Sequence, residues 1–249
     1  MKRLNTATVW CVAALVTLSP LAAAPARGNA GTGVAPVKSH PHGKAYAEWA
    51  AAWWQWAVGI PADSNPITDP DGRFGLTDQS GPVYFLAGAF GGTAERSITI
   101  PTGKALFFPI LNSLWWAPDD VDDATAYVNG LPGMDAADFT DEELVQMLAA
   151  AQMSGVTSMS LLVDGKPVDD VLDYYFETDG FRLTDTALID TLGGEISQPN
   201  TAFAAGYWVM LNPLTPGRHT ITWSAWGANP VAGRLSLDVT YHVTVKPGR

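Results

Sequence analysis

The sequence predicts a mainly β protein, an antiparallel β-sandwich of jelly-roll type with two helices, one of them N-terminal and rich in tryptophan. Three observations carry that prediction. Short apolar runs bounded by glycine and proline recur from Gly81 onward, the pattern of strands separated by turns. Only two segments show helical periodicity together with proper start and stop signals. The last run, LSLDVTYHVTV, alternates strictly. It places Leu235, Leu237, Val239, Tyr241, Val243 and Val245 on one face and Asp238, Thr240, His242 and Thr244 on the other, as in a sheet with one wet side.

The chain opens with Lys2 and Arg3, an apolar run from Val9 to Leu18, and small residues ending in Ala24-Pro25-Ala26. This is the plan of a secretory signal peptide with cleavage expected after Ala26, and the run is too short to span a hydrocarbon core of about 30 Å. The expected location is therefore secreted or extracytoplasmic, with no transmembrane segment after signal cleavage. Residues 27–42 are small and contain Gly and Pro, and read as a flexible leader. Residues 43–249 read as one β-rich domain. The single cysteine, Cys11, lies in the apolar run, so the mature chain has no access to the disulfides that export permits.

The first helix is expected over 44–58, stopped by Gly59 and Pro61. On a helical wheel Tyr46, Trp49, Trp53, Trp56 and Ile60 fall within about 80°, a stripe facing a core. Trp54 lies off that stripe, either packed on a second element or exposed. The next stretches, PVYFLAG, RSITIP and KALFFPILN, read as strands. Leu106–Leu111 is apolar on both alternating faces and is expected to be covered on both sides, one of them by the tryptophan helix. The second helix is expected over 141–153. Thr140 and Glu143 form its capping box, with Phe139 and Leu144 at the staple positions. Farther on, Asp164-Gly165 signals a hairpin, and Pro216-Gly217 a type II turn between Tyr207–Leu211 and His219–Trp223.

Acidic residues number 25 against 14 basic ones, for a net charge of −11. No basic cluster exists, which excludes nucleic acid and anionic membrane surfaces, since phosphates are held by Lys and Arg. The G-x-S-x-G, H-E-x-x-H, P-loop and G-x-G-x-x-G signatures are all missing. Of the four histidines, His40 and His42 fall in the leader, while His219 and His242 sit on strands in structural positions.

The stretch ILNSLWWAPDDVDD supplies the main candidate site: Asn112, Trp115 and Trp116 beside Asp119, Asp120, Asp122 and Asp123, with Trp54 as a further aromatic. Indoles present flat apolar faces to a ligand and carboxylates accept its hydroxyl protons. Two adjacent tryptophans on a strand point to opposite faces. The competing reading makes Trp116 a core plug and the acids a solvated helix start, with Asp119 as N-cap. A second candidate is DSNPITDPDGRFG, where Asp63, Asn65, Asp69 and Asp71 form an oxygen-rich loop of the kind calcium favours. It lacks the twelve-residue spacing, and Asp-Pro-Asp-Gly is equally good turn chemistry. No other cofactor is implied.

The series WWQWAVGIP, SGPVYFLAGAFGG, PTGKALFFPILN and GYWVMLNPLTPGRHTI resembles a group of secreted bacterial proteins to which no activity is attached. The resemblance implies an exported β-rich protein and no catalytic residue. The functional expectation is a binding or envelope-associated protein recognising a neutral ligand such as a glycan. One alternative is a carbohydrate-active hydrolase pairing acids from Asp119–Asp123 with another such as Glu177. Such an enzyme needs two carboxyl groups about 5–10 Å apart in a cleft, whereas a binder needs only an aromatic surface. The other is a structural or assembly protein of the envelope, which needs neither.

Overall fold

A computed structural model describes residues 32–247 apart from 230 and 232; the expected signal peptide lies outside the described residues. The fold is mainly β. A four-stranded sheet contains β1 (Val83–Phe85), β3 (Ala105–Ala117), β7 (Thr201–Leu211) and β6 (Tyr175–Glu177), in that order. A five-stranded sheet contains β2 (Gly92–Pro101), β9 (Gly233–Lys246), β8 (Gly217–Asn229), β4 (Val156–Val163) and β5 (Lys166–Pro167). Most neighbours are antiparallel, but β1 joins β3 and β2 joins β9 in parallel. Between the parallel β1 and β3 the chain crosses to the other sheet as β2.

The predicted helices form as α1 (Tyr46–Gly59) and α3 (Asp141–Met153), accompanied by the shorter α2 (Val121–Asn129) and α4 (Ala187–Thr191). In α3 the capping box closes as expected: the Glu143 carboxylate accepts the Thr140 N–H at 2.8 Å, and Thr140 Oγ1 accepts the Glu143 N–H at 3.3 Å. Among the described residues, no helix is long and apolar enough to cross a membrane.

Strand β3 is the centre of the molecule, and its side chains show how the layers meet. Phe107 faces α1 and stacks on Trp208, ring centroids 5.5 Å apart, while Trp53 meets Trp208 edge-on at 5.5 Å. Phe108, on the opposite face, stacks on Trp223 of β8 at 4.7 Å, and Trp223 stacks in turn on Tyr241 of β9. The expected two-sided burial of this strand is therefore met by α1 on one side and the five-stranded sheet on the other. Between Pro109 and Leu111 a bulge shifts the register against β7. One extra residue exchanges the faces of everything that follows. Beyond it, Ser113 Oγ donates to the Ala149 carbonyl of α3 and Trp115 Nε1 to Gln152. Leu114 and Trp116 turn instead toward Val58, Leu183 and Ala202.

Pro216-Gly217 falls where the chain passes from β7 to β8, and since these belong to different sheets it carries the chain across the sandwich. One expectation differs from the structure. The leader is pinned from Gly33 on: Ala35 N–H donates to the Met210 carbonyl, Asn212 N–H donates to the Gly33 carbonyl, and Val34 bridges Leu211. Composition alone does not reveal this, since the anchoring partners lie some 175 residues away along the chain.

The two β-strand histidines are both hydrogen-bonded. His242 Nε2 lies 2.9 Å from Glu95 Oε1 on the wet face. His219 sits between Asp164 Oδ2 at 2.7 Å and the Thr215 carbonyl at 2.8 Å, tying together the Asp164-Gly165 and Pro216-Gly217 turns. Burial opposes charge on this imidazole, but the Asp164 hydrogen bond, the Thr215 carbonyl and the Asp164 charge together raise its pKa. Burial likewise pushes the Asp164 carboxyl up, yet the bonds from His219 and the Thr220 N–H bring it below its ordinary value. A raised imidazole pKa adds stability below its unfolded value of 6.5 that is lost as pH rises through the folded value. A lowered carboxyl pKa adds stability above 3.8 that is lost as pH falls through the folded value. The urea midpoint is therefore expected to be highest between about pH 4 and 6.5 and to fall toward pH 8. In His219→Gln that alkaline decline should shrink; an unchanged decline would place the linkage elsewhere.

Candidate functional site

The loop that follows α1 was the calcium candidate, and its geometry assigns it a different task. Asn65 caps α1: its Nδ2 donates to the Ala57 and Ile60 carbonyls, both at 2.7 Å, and its Oδ1 accepts the Ile67 N–H. The buried Asp69 carboxylate accepts N–H groups from Asp71, Gly72 and Phe74. Asp71 faces solvent near Arg73, and Asp63 accepts from Ser64. The Asn65 and Asp69 oxygens are committed to the loop's own backbone, and among the described residues no group of three His, Cys, Asp or Glu is placed to hold a metal. Gly72 is required here. Its φ is +95°, and a Cβ would stand 2.7 Å from both the backbone N and O of Ser97.

The aromatic candidates converge elsewhere. A cleft of about 330 Å³ runs along β3 from Pro109 to Trp116, at the edge of the sandwich. Trp54 of α1 contributes to it, as do Gly88–Phe90, Gln152, Leu188 and Ile189 of α4, and Leu235 and Leu237 of β9. Trp54, Asn112, Trp115 and Trp116, singled out from the sequence, all line it. The two adjacent tryptophans project to opposite sides of the strand, Trp115 toward α3 and Trp116 toward Val58 and Ala202. Trp54 meets Trp53 edge-on at 5.0 Å and packs partly on both hydrophobic clusters.

The four aspartates do not join them. Asp119 reaches across to Ser197, accepting its N–H at 2.9 Å and its hydroxyl at 2.6 Å. Asp122 and Asp123 are exposed in the first turn of α2, where carboxylates favour the positive end of the helix. The residue at the N-cap is Asp120, not Asp119, and its carboxylate points back to accept the Trp116 N–H at 2.8 Å. Burial pushes the Asp120 carboxyl above its ordinary value; the Trp116 bond pulls the other way, and the charges of Asp119 and Asp123 add to the rise. Glu177 lies on β6 with the Tyr175 hydroxyl donating to it, and it lines no part of the cleft.

What remains is a cleft with no ionisable side chain. Its walls are aromatic and aliphatic, and its polar side chains are Asn112, Ser113 and Gln152. Ser113 and Gln152 are already bonded to Ala149 and Trp115. By contrast Trp54 Nε1, Asn112 Nδ2 and Trp116 Nε1 are buried donors without an acceptor. Three of the five side-chain atoms with this property among the described residues therefore belong to residues lining one cleft. An unmet buried donor costs about 1–3 kcal/mol, and native proteins keep few of them.

Compared with models of protein families, with curated proteins and with solved structures, the chain matches none. The reading of the cleft therefore stands on its own geometry. Reasoning from sequence missed Gly88–Phe90, Leu188, Ile189, Leu235 and Leu237, which are ordinary apolar and glycine positions brought to the cleft by three separate segments. No local pattern marks them.

Proposed function

We propose that this is an exported binding protein that holds a neutral, hydrogen-bond-accepting component of the cell envelope in the cleft along β3. The observation that supports this most is the set of three unmet N–H donors, on Trp54, Asn112 and Trp116, in an apolar cleft free of charge. Ligand cavities typically combine apolar walls with a few polar groups that fix orientation. The unmet side-chain groups here are donors, so a favourable ligand brings acceptors, and an anion would find no cation to balance it. Reaching these donors takes a small side-chain shift, because all three atoms are closed to solvent. Export is supported by the N-terminal sequence pattern. A hydrolytic reading finds no support in this cleft, where no carboxylate is present to act as acid or nucleophile.

The test is depletion of the purified protein from solution by insoluble glycans and by bacterial cell walls. Retention on at least one of them is expected, with affinity lowered about tenfold or more in Asn112→Ala/Trp116→Phe, roughly one lost hydrogen bond to each deleted donor. Because neither donor has a protein acceptor to lose, the melting temperature of that variant should stay within a few degrees of the parent. Equal retention of the variant would remove the cleft as the binding site.

A further inference from the structure

Granting that the cleft is the binding site, we infer that its ligand is an extended, uncharged peptide segment that adds to the open middle of the β3 edge. The inference follows from where the backbone of β3 directs its polar groups. On β7, Ala202 and Ala204 spend theirs on the side away from β3. Ala202 exchanges bonds with Phe181; Ala204 bonds Thr178, its carbonyl accepting the Thr178 N–H and its N–H donating to the Thr178 hydroxyl. Their opposite numbers on β3 are Trp116 and Leu114, and Asn112 stands opposite Gly206. In an antiparallel pair, residues opposite one another direct their N–H and C=O groups either both inward or both outward, in alternation. Asn112, Leu114 and Trp116 therefore direct theirs outward, toward the free edge.

The fold itself closes both ends of that edge. At one end β1 pairs with Ala105–Phe107, and the Leu86 N–H donates to the Phe107 carbonyl at 3.0 Å. At the other, Asp120 takes the place of a strand: its carboxylate accepts the Trp116 N–H and its own N–H donates to the Trp116 carbonyl at 3.0 Å. Pro109 has no N–H to offer. Between these ends, the N–H and C=O groups of Asn112 and Leu114 have no hydrogen-bond partner among the described residues, and both residues line the cleft. Two outward-facing residues two positions apart in the strand repeat at about 6.6–6.8 Å, the spacing at which a second strand offers its own matched C=O and N–H groups.

An amide chain meets this pattern in a way a sugar does not, because only the amide chain alternates donors and acceptors at that interval. It would also place its side chains alternately on either side of β3, against Trp54 and Trp116 on one and Trp115 and Leu237 on the other. With no ionisable group in the walls, small or apolar side chains fit best. The volume of about 330 Å³ accommodates roughly two or three residues in extended form at about 3.3 Å each. Adding a strand to an exposed edge is an established mode of peptide recognition, in which main-chain bonds give affinity and alternate side chains give specificity.

The test is amide hydrogen exchange of the 15N-labelled full chain, with three probe sets: acetylated and amidated tripeptides of Gly, Ala, Val and Leu; the same peptides N-methylated at the central residue; and cello- and chito-oligosaccharides. The blocked tripeptides are expected to slow exchange at the Asn112 and Leu114 amides about tenfold or more, and N-methylation to abolish that protection. Protection that survives N-methylation would overturn the strand-addition geometry. If only the oligosaccharides perturb the Trp54 and Trp116 indole resonances, the peptide inference fails while the binding role of the cleft stands. If no probe perturbs either the amides or the indoles, both fall.

Discussion

Arg96→Met is expected to lower the free energy of unfolding by about 3–5 kcal/mol, since each buried acceptor deprived of its donor costs about 1–3 kcal/mol. Arg96 is 1% exposed. Its Nε donates to the Asp69 carbonyl at 2.7 Å, its Nη1 to the Ala87 and Gly88 carbonyls and the Tyr241 hydroxyl, and its Nη2 to the Ile67 carbonyl. The guanidinium thus replaces water for four backbone carbonyls from two loops that have no ladder of their own. Methionine fills the space of the stem and leaves the Ile67, Asp69 and Gly88 carbonyls without that donor, while the Ala87 carbonyl keeps only the Tyr241 hydroxyl. Arg96→Lys keeps the charge but offers one point donor in place of a planar fork, so it should recover only part of the loss. Urea titration decides the matter: a loss below about 1 kcal/mol would mean that the freed carbonyls find water. Since Gly88 also lines the cleft, ligand retention should weaken together with stability in this variant.

Trp53→Ala should be comparably severe, at about 3–5 kcal/mol. Trp53 is 1% exposed, contacts Trp54, Trp56 and Trp208 edge-on, and donates from Nε1 to the Leu86 carbonyl at 2.9 Å. Truncation leaves a cavity between α1 and the four-stranded sheet and also an unmet carbonyl. Trp54→Phe, one residue along, makes the informative contrast. Its indole N–H has no acceptor to lose, so stability should change little while cell-wall retention falls. A Trp54→Phe variant as unstable as Trp53→Ala would assign Trp54 to the core alone.

These neighbouring tryptophans show how far the sequence could be read. The 3.6-residue period separates Trp49, Trp53 and Trp56 from Trp54, and in the structure Trp49 and Trp53 are buried while Trp56 is partly covered, its Nε1 bonded to the Thr77 carbonyl. The same period could not say what Trp54 meets, because its neighbours Leu114, Trp116 and Leu183 come from elsewhere in the chain. The aspartates show the limit from the other side. Adjacent in sequence to Trp115 and Trp116, they read as one surface with them, yet a turn of helix disperses them: Asp119 goes to Ser197, Asp120 to the strand edge, and Asp122 and Asp123 to solvent.

What the sequence determined alone is whatever depends on local periodicity and local hydrogen bonding. This includes the two main helices with the capping box of α3, the alternation of β9 and the two-sided burial of β3. Tertiary structure decided which sheet each strand joins, since strand pairing is a contact between distant segments and either edge satisfies the same local pattern. It also decided that a one-residue bulge exchanges the faces of β3, that the calcium-like loop spends its oxygens on its own amides, and that Asn112 and Leu114 are left unpaired between β1 and Asp120. An open backbone edge has no residue signature, because every residue carries the same N–H and C=O, and only the placement of neighbouring strands determines which of them go without a partner.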